Sequence, residues 1–311
     1  MRINRTPTLH HHDLLSTKEV NNFLLRLNQQ PIYKRRRLLN LRSQIKPYTH
    51  FIYKFLSLAT DQHADYLRNY LVESKLWLSS PTAFNDPFDM SCQYIFEGKP
   101  QDKRKHLDKR FKLYDPNLPK KQREKIISNS LASGQFLTET LNSIHEKHRK
   151  EDGVCCFSEN TRNILTWAHY GSNHAGLSLQ FQISKDLFIF TRAIKVEYSD
   201  EYPIIDYLKD SLGDAIAQTL LRKSKAWEYE NERRIIHPDG ANCYLQFNPS
   251  ALTALILGCE FGVNTEKIIN IKTLLDERME KNYPPVKIFR AIRDKSKYRL
   301  LIKRERNLFE N

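Results

Sequence analysis

The chain has 311 residues, of which 40% are hydrophobic and 28% charged. That balance supports a folded core and excludes wholesale disorder. Its 50 Lys and Arg against 36 Asp and Glu give a formal charge of +14, which points to an anionic partner without naming one.

The first fifty residues hold ten Lys/Arg and two Asp/Glu, a local charge of +8. The basic start lacks an apolar core, so a secretory signal is not expected. Ser16 and Glu19 read as a capping box, in which each side chain satisfies the other's free backbone N–H. Val20, Phe23, Leu24 and Leu27 then mark one helical face. Pro31 can open a second helix that carries Lys34, Arg35, Arg36 and Arg37. Residues 1–50 are therefore expected to form a basic, helical N-terminal extension. His10, His11 and His12 are consecutive and lack the spacing of a helical metal pair.

Phe51 to Leu56 predicts a strand, residues 61–74 a helix, and Leu76 to Ser79 a short strand. A Pro/Asn/Asp loop follows from Ser80 to Asp89. Residues 101–149 are lysine-rich with helical spacing, which predicts a helical insertion. Val154 to Phe157 is an apolar strand. Ile164 to Tyr170 is a short helix that Gly171 can close in a left-handed cap. Alternation predicts strands over Leu177–Ile183 and Ile194–Tyr198. A helix is expected over about 206–224, then strands at Arg233–Ile236, Tyr244–Phe247 and Leu252–Leu257. A helix at 265–281 and strands at Val286–Ala291 and Leu300–Lys303 complete the pattern. The expected fold is α+β, a single mixed and mostly antiparallel sheet core with flanking helices. The expected organisation is the extension at 1–50, a domain over 51–305 and a tail at 306–311. No run of about 18 apolar residues exists, so no membrane span is expected. Five cysteines, an odd number, fit a reducing cytoplasm better than a disulfide framework.

Three constellations could carry chemistry. In the first, Ser79, Asn85, Asp86 and Asp89 lie on or beside a loop pinned by Pro81 and Pro87, directly after a strand. A plainer reading has Asn and Asp making their own turns while Phe84 and Phe88 fill the core. The second joins Cys155, Cys156 and Ser158 to Trp167, His169, Tyr170 and His174. Adjacent cysteines on a strand point to opposite faces, and no CxxC is present, so metal binding is not expected there. The third runs from Trp227 to Arg234. Strand spacing would place Glu228, Glu230 and Glu232 on one face, where they repel unless cations or a ligand offset them. Trp227 and Tyr229 beside the acids suit a ligand pocket. The plainer reading is a solvated turn in which Arg233 or Arg234 pairs with a glutamate. Neither a P-loop nor a GxGxxG occurs among only nine glycines.

With these motifs in order, the chain resembles a bacterial family of unassigned function, DUF2971. The stretches that carry the likeness are Tyr53-Lys54-Phe55, LWLSSPTAFNDPFD from Leu76 to Asp89, and VCCFSENTRNILTWAHYGSNHAGLSLQF from Val154 to Phe181. KVEYSDEYP from Lys195, KSKAWEYENERRII from Lys223 and FNPSALTALILGCEF from Phe247 add to it. The resemblance implies a fold and motif residues but no reaction. The order of a Tyr-Lys-Phe strand, a Phe-Ser strand and a late Glu-x-Glu also looks like ADP-ribosyltransferase-type folds. That likeness implies Tyr53 or Lys54 against the ligand ring or ribose. It implies Ser158 on the middle strand, and Glu230 or Glu232 stabilising oxocarbenium charge as nicotinamide leaves NAD.

The expected function is an enzyme acting on a nucleotide-like ligand, with NAD a candidate. Glu230, Glu232 and Ser158 are the catalytic candidates. Tyr53, Lys54, Ser79, Asn85, Asp86, Asp89, Trp167, His169, Tyr170, Trp227 and Arg233 are the ligand-binding candidates. One alternative is nucleic-acid binding through the Lys34–Arg37 run and residues 286–306, where nine Lys/Arg face two Asp/Glu. Another is metal-dependent phosphodiester cleavage by Asp86, Asp89 and a histidine.

Overall fold

A computed structural model describes residues 49–58, 61–210, 218–262, 265–306, 308 and 309. The expected N-terminal helices, with Lys34–Arg37, lie outside the described residues.

Eight strands form one sheet, in the order β14-β13-β12-β5-β1-β4-β10-β6. They are β1 (Phe51–Leu56), β4 (Gly153–Ser158), β5 (Leu177–Gln182), β6 (Ile194–Lys195), β10 (Glu232–His237), β12 (Leu252–Leu257), β13 (Lys287–Arg293) and β14 (Leu300–Arg304). Every neighbouring pair is antiparallel except β12 with β13. The fold is therefore α+β around a mixed, mostly antiparallel sheet. Three two-stranded pairs stand outside it. They join β2 (Lys75–Leu78) to β11 (Cys243–Gln246), β3 (Gln93–Ile95) to β8 (Ile204–Asp206), and β7 (Glu197–Ser199) to β9 (Arg222–Ser224).

Period-two alternation explains the two faces. Ile52 and Leu56 of β1, Leu179 and Phe181 of β5, and Leu255 and Leu257 of β12 share one buried cluster. Helices α1 (Asp61–Leu71) and α7 (Thr265–Glu280) cover that face with Leu67, Tyr70, Leu71, Ile271 and Leu274. Tyr53, Phe55, Ile256, Phe289 and Ile302 belong to a second cluster around Trp167 of α5 (Ile164–Tyr170). Trp167 is completely buried, its indole N–H donates to the Thr161 carbonyl at 2.7 Å, and its ring meets Phe55 edge-on. Truncating such a side chain costs about 3–5 kcal/mol.

The insertion contains three helices, α2 (Pro100–Tyr114), α3 (Lys120–Ala132) and α4 (Gly134–Glu151). Their mostly charged surfaces bury only a few side chains, among them Leu107, Ile127 and Leu141. Helix α4 braces the loop after β2. Ser80 Oγ donates to the Arg149 carbonyl at 3.0 Å, and His145 Nε2 meets the Met90 carbonyl at 2.8 Å. The remaining short helix, α6 (Leu187–Phe190), is capped by Asp186.

Several expectations need correction. Of the helix expected over about 206–224, residues 218–220 are helical and 211–217 lie outside the described residues, while both ends differ: β8 ends at Asp206 and β9 begins at Arg222. Local side-chain bonds win there, because Asp206 Oδ1 accepts from Leu208 N–H and Asp210 Oδ2 from Asp206 N–H. The strand expected over Ile194–Tyr198 is split into β6 and β7, which pair with different partners. Gly171 closes α5 at φ −109°, not in the left-handed region. The left-handed residues are the next three, Ser172, Asn173 and His174. Gly258 is required beside that turn, since a Cβ there would stand 1.9 Å from the His174 carbonyl oxygen. Phe88 is largely exposed rather than filling the core.

Candidate functional site

Strands β1 and β4 share one residue pair, Tyr53 with Ser158. Each pairs fully with its other neighbour, β5 or β10. Beyond the single pair lies a cavity of about 340 Å³. Lys54 and Phe55 of β1 line it, with Val154, Cys156 and Phe157 of β4. Ser79 bridges to Val154 and closes one end with the following loop.

The cavity floor is ionic. Lys223 Nζ lies 2.6 Å from Glu230, 3.1 Å from Glu232 and 3.8 Å from Asp89. The Arg234 guanidinium is fully buried and lies 2.6 Å from Asp89 and 2.8 Å from Glu232. Its remaining donor reaches the Leu220 carbonyl. Three carboxylates thus meet two cations, leaving one surplus negative charge when all are ionised. Arg234 and Lys223 hold the Glu232 carboxyl down at about 2 despite its burial. Glu230 differs. Burial raises its pKa, the neighbouring Glu232 charge adds to that, and Lys223 opposes both. One of its oxygens bonds Lys223, while Oε1 has no hydrogen-bond partner. The surplus charge therefore belongs to Glu230, and protonating it makes the cluster neutral. Two adjacent carboxylates with pKa values driven apart form an acid–base arrangement.

A short turn sets this geometry. Ser224 caps a 3₁₀ helix over Lys225–Glu230, and Asn231 ends it at φ 46° before β10 begins at Glu232. The strand spacing considered for Glu228, Glu230 and Glu232 thus gives way to a turn, as the plainer reading held, except that Glu230 and Glu232 are buried rather than solvated. Glu228 is exposed, while the turn swings Glu230 back toward Glu232.

Around this floor the structure gathers Tyr53, Lys54, Ser79, Asn85, Asp89 and Ser158, with His169, Tyr170, Glu230 and Glu232. Tyr170 is half-buried. Burial raises its pKa, the Glu230 charge adds to this, and Lys223 and Asn85 work the other way. Its hydroxyl faces the Glu230 carboxylate closely enough to lower the carboxyl's pKa and raise its own. His169 lies 5.7 Å from the Trp227 ring and 6.3 Å from Tyr229, forming an aromatic rim. Lys54 lines the cavity and makes no ion pair among the described residues.

The other candidates have structural roles. Ser158 Oγ donates to the Glu230 carbonyl at 2.5 Å and so holds that residue in place. Asp86 accepts from Phe88 N–H and makes a turn, as the plainer reading held. Trp167 is core. Trp227 covers Lys223 by a cation–π contact of 4.9 Å and does not line the cavity. Arg233 points to the opposite side of β10, where it pairs with Glu159 at 2.5 Å. Cys156 lines the cavity, but burial and the Glu232 charge push its thiol well above the ordinary range. Among the described residues, no three His, Cys, Asp or Glu side chains gather to hold a metal ion. Asp89 is paired with Arg234 at 2.6 Å.

Sequence reasoning missed Lys223 and Arg234 as site residues. The signal was the repulsion among the glutamates, which demands buried cations nearby.

A family model described as a protein of unknown function (DUF2971) matches residues 166–235. The chain resembles that family. The DUF2971 match spans α5 to β10 and so includes His169, Tyr170, Lys223, Glu230, Glu232 and Arg234. It leaves out β1 and the loop after β2. No curated protein and no solved structure matches the chain. No helix among the described residues is long and apolar enough to cross a membrane.

Proposed function

We propose that the protein is an enzyme that cleaves or transfers at the glycosidic carbon of a nucleotide-like ligand, NAD being the specific candidate. One observation carries this reading: the surplus charge of a buried cluster sits on Glu230, whose Oε1 is unpartnered at a cavity wall. In this chemistry the C1′–N bond breaks and its electron pair leaves with nicotinamide. The Glu230 carboxylate offsets the oxocarbenium charge and then takes the proton of the attacking water or hydroxyl. A raised pKa makes it the better base of the pair. Glu232, held ionised by Arg234, stays a fixed anion. Tyr53, Tyr170 and His169 supply ring faces for a planar group, and Lys54 supplies a cation.

Binding and turnover of NAD by the wild type and a Glu230→Gln variant test the reading. Glu230→Gln is expected to keep binding and to lower kcat by about 10²–10⁴-fold. Wild-type protein that neither binds nor consumes NAD removes the reaction.

A second reading, nucleic-acid association, has its own support. The β13–β14 hairpin exposes Lys287, Lys295, Lys297 and Lys303, with a completely exposed Tyr298 near its tip. Cations interleaved with an aromatic side chain suit a phosphate backbone.

A further inference from the structure

A second cavity, of about 360 Å³, opens on the face of the sheet that carries Trp167. Its floor takes one residue from each of five neighbouring strands: Tyr53, Gln180, Ile256, Phe289 and Ile302. Its wall is the loop after β4, residues 159–162. Tyr53 lines both cavities. The two spaces therefore flank one aromatic side chain.

Their charges differ. The first cavity has a carboxylate floor. In the second, the Glu159 carboxylate is already neutralised, by Arg233 at 2.5 Å and Lys195 at 3.7 Å. Arg162 lines this space and makes no ion pair among the described residues. Its charge reaches Tyr53 and opposes the burial that raises the tyrosine pKa. Arg304, also without an ion pair there, stacks on the lining Phe289 ring at 5.5 Å. Two exposed guanidinium groups over a floor of mixed polarity, next to an acidic reaction chamber, form a bipolar site. A guanidinium has the planar fork that matches phosphate oxygens.

We propose that the second cavity binds the phosphate-bearing part of the ligand, with Arg162 and Arg304 on the phosphoryl oxygens and Tyr53 between the two halves. This rests on the proposed function for the identity of the other half, and it narrows the substrate class to phosphorylated nucleotides. A neutral nucleoside would leave both arginines unused.

Calorimetric binding of inorganic pyrophosphate, ADP-ribose and nicotinamide riboside to the full chain tests it, with an Arg162→Ala/Arg304→Ala variant as comparison. Both side chains are exposed, so the variant is expected to keep the wild-type unfolding midpoint. If it does not, the two single variants carry the same measurement. Pyrophosphate and ADP-ribose are expected to bind at least about tenfold more weakly to the variant, with nicotinamide riboside changed less than about twofold. Three results overturn the proposal: wild type that binds neither phosphate ligand, a variant that binds them as wild type does, or an equal loss for all three. Its failure is separable from that of the reaction. Pyrophosphate binding lost in the variant, in a protein inert toward NAD, removes the reaction and keeps the subsite. NAD turnover with an unchanged KM in the variant does the reverse.

Discussion

Glu230 and Glu232 are two residues apart and chemically unlike because of what each touches. Glu232 bonds both cations, whereas of the two cations Glu230 bonds Lys223 alone, and its Oε1 has no hydrogen-bond partner. The folded state therefore favours protonated Glu230. A carboxyl whose pKa is raised on folding adds stability at low pH and loses it as pH rises through the folded value. At neutral pH Glu230 is thus a stability cost, and Glu230→Gln is expected to raise the thermal midpoint at pH 7.5 by about 2–4 °C. The gain should shrink toward pH 4, and a variant no more stable than wild type at pH 7.5 contradicts the assignment of the surplus charge. Glu232 has the opposite sign. Its pKa falls from 4.5 to about 2, so its contribution is present above about pH 4.5 and is lost as pH falls toward 2. Arg234→Met leaves Asp89 and Glu232 buried against Lys223 alone. It should cost about 3–5 kcal/mol in denaturant unfolding, and a neutral effect would show that the pair adds no net stability. The repulsion among these glutamates was legible in the sequence. Which cation answers it was not, because Lys223 arrives from β9 on the far side of a turn.

That turn shows where pattern reading stops. Alternation located β5, because a half-buried strand must repeat every second residue. It also projected β10 backward through Glu228, where capping by Ser224 and the left-handed Asn231 dictate a 3₁₀ turn instead. The return into β10 needs one left-handed residue, Asn231 at φ 46°. Asn tolerates φ near +50° better than a β-substituted apolar residue does. Asn231→Ala should therefore cost about 1–2 kcal/mol, while Asn231→Gly should be near neutral. Equal unfolding midpoints for the two variants would show that the backbone there is not what fixes Glu230. The cavity was less legible than the strands. It depends on β1 and β4 meeting at one pair only, a register that no local pattern encodes.

At the scale of the whole chain, the charge of +14 resolves into pieces. The first fifty residues carry +8, residues 286–306 carry +7 and residues 100–151 carry +6, so the rest is near −7. The body that holds the carboxylate floor is acidic, and the cations lie on the insertion and at the ends. On the proposed reading the acidic chamber would take a ligand whose reacting carbon becomes positive, and an anionic polymer would meet the basic hairpin instead. The two electrostatic tasks are separable by salt. Each phosphate neutralised by the hairpin contributes about 0.9 to the slope of log K against log salt on a duplex. If the hairpin grips nucleic acid, Lys295→Glu with Lys297→Glu should flatten that slope by about 2 and leave any turnover of a small ligand at Glu230 unchanged. Deleting residues 1–50 measures the other basic end in the same titration. A slope that moves in neither variant assigns both ends to solubility, and a slope that moves only on deletion assigns the contact to the N-terminal residues. A loss of turnover in the hairpin variant would mean that its lysines act on the small ligand, since Phe289 and Ile302 of the same hairpin form part of the second cavity's floor.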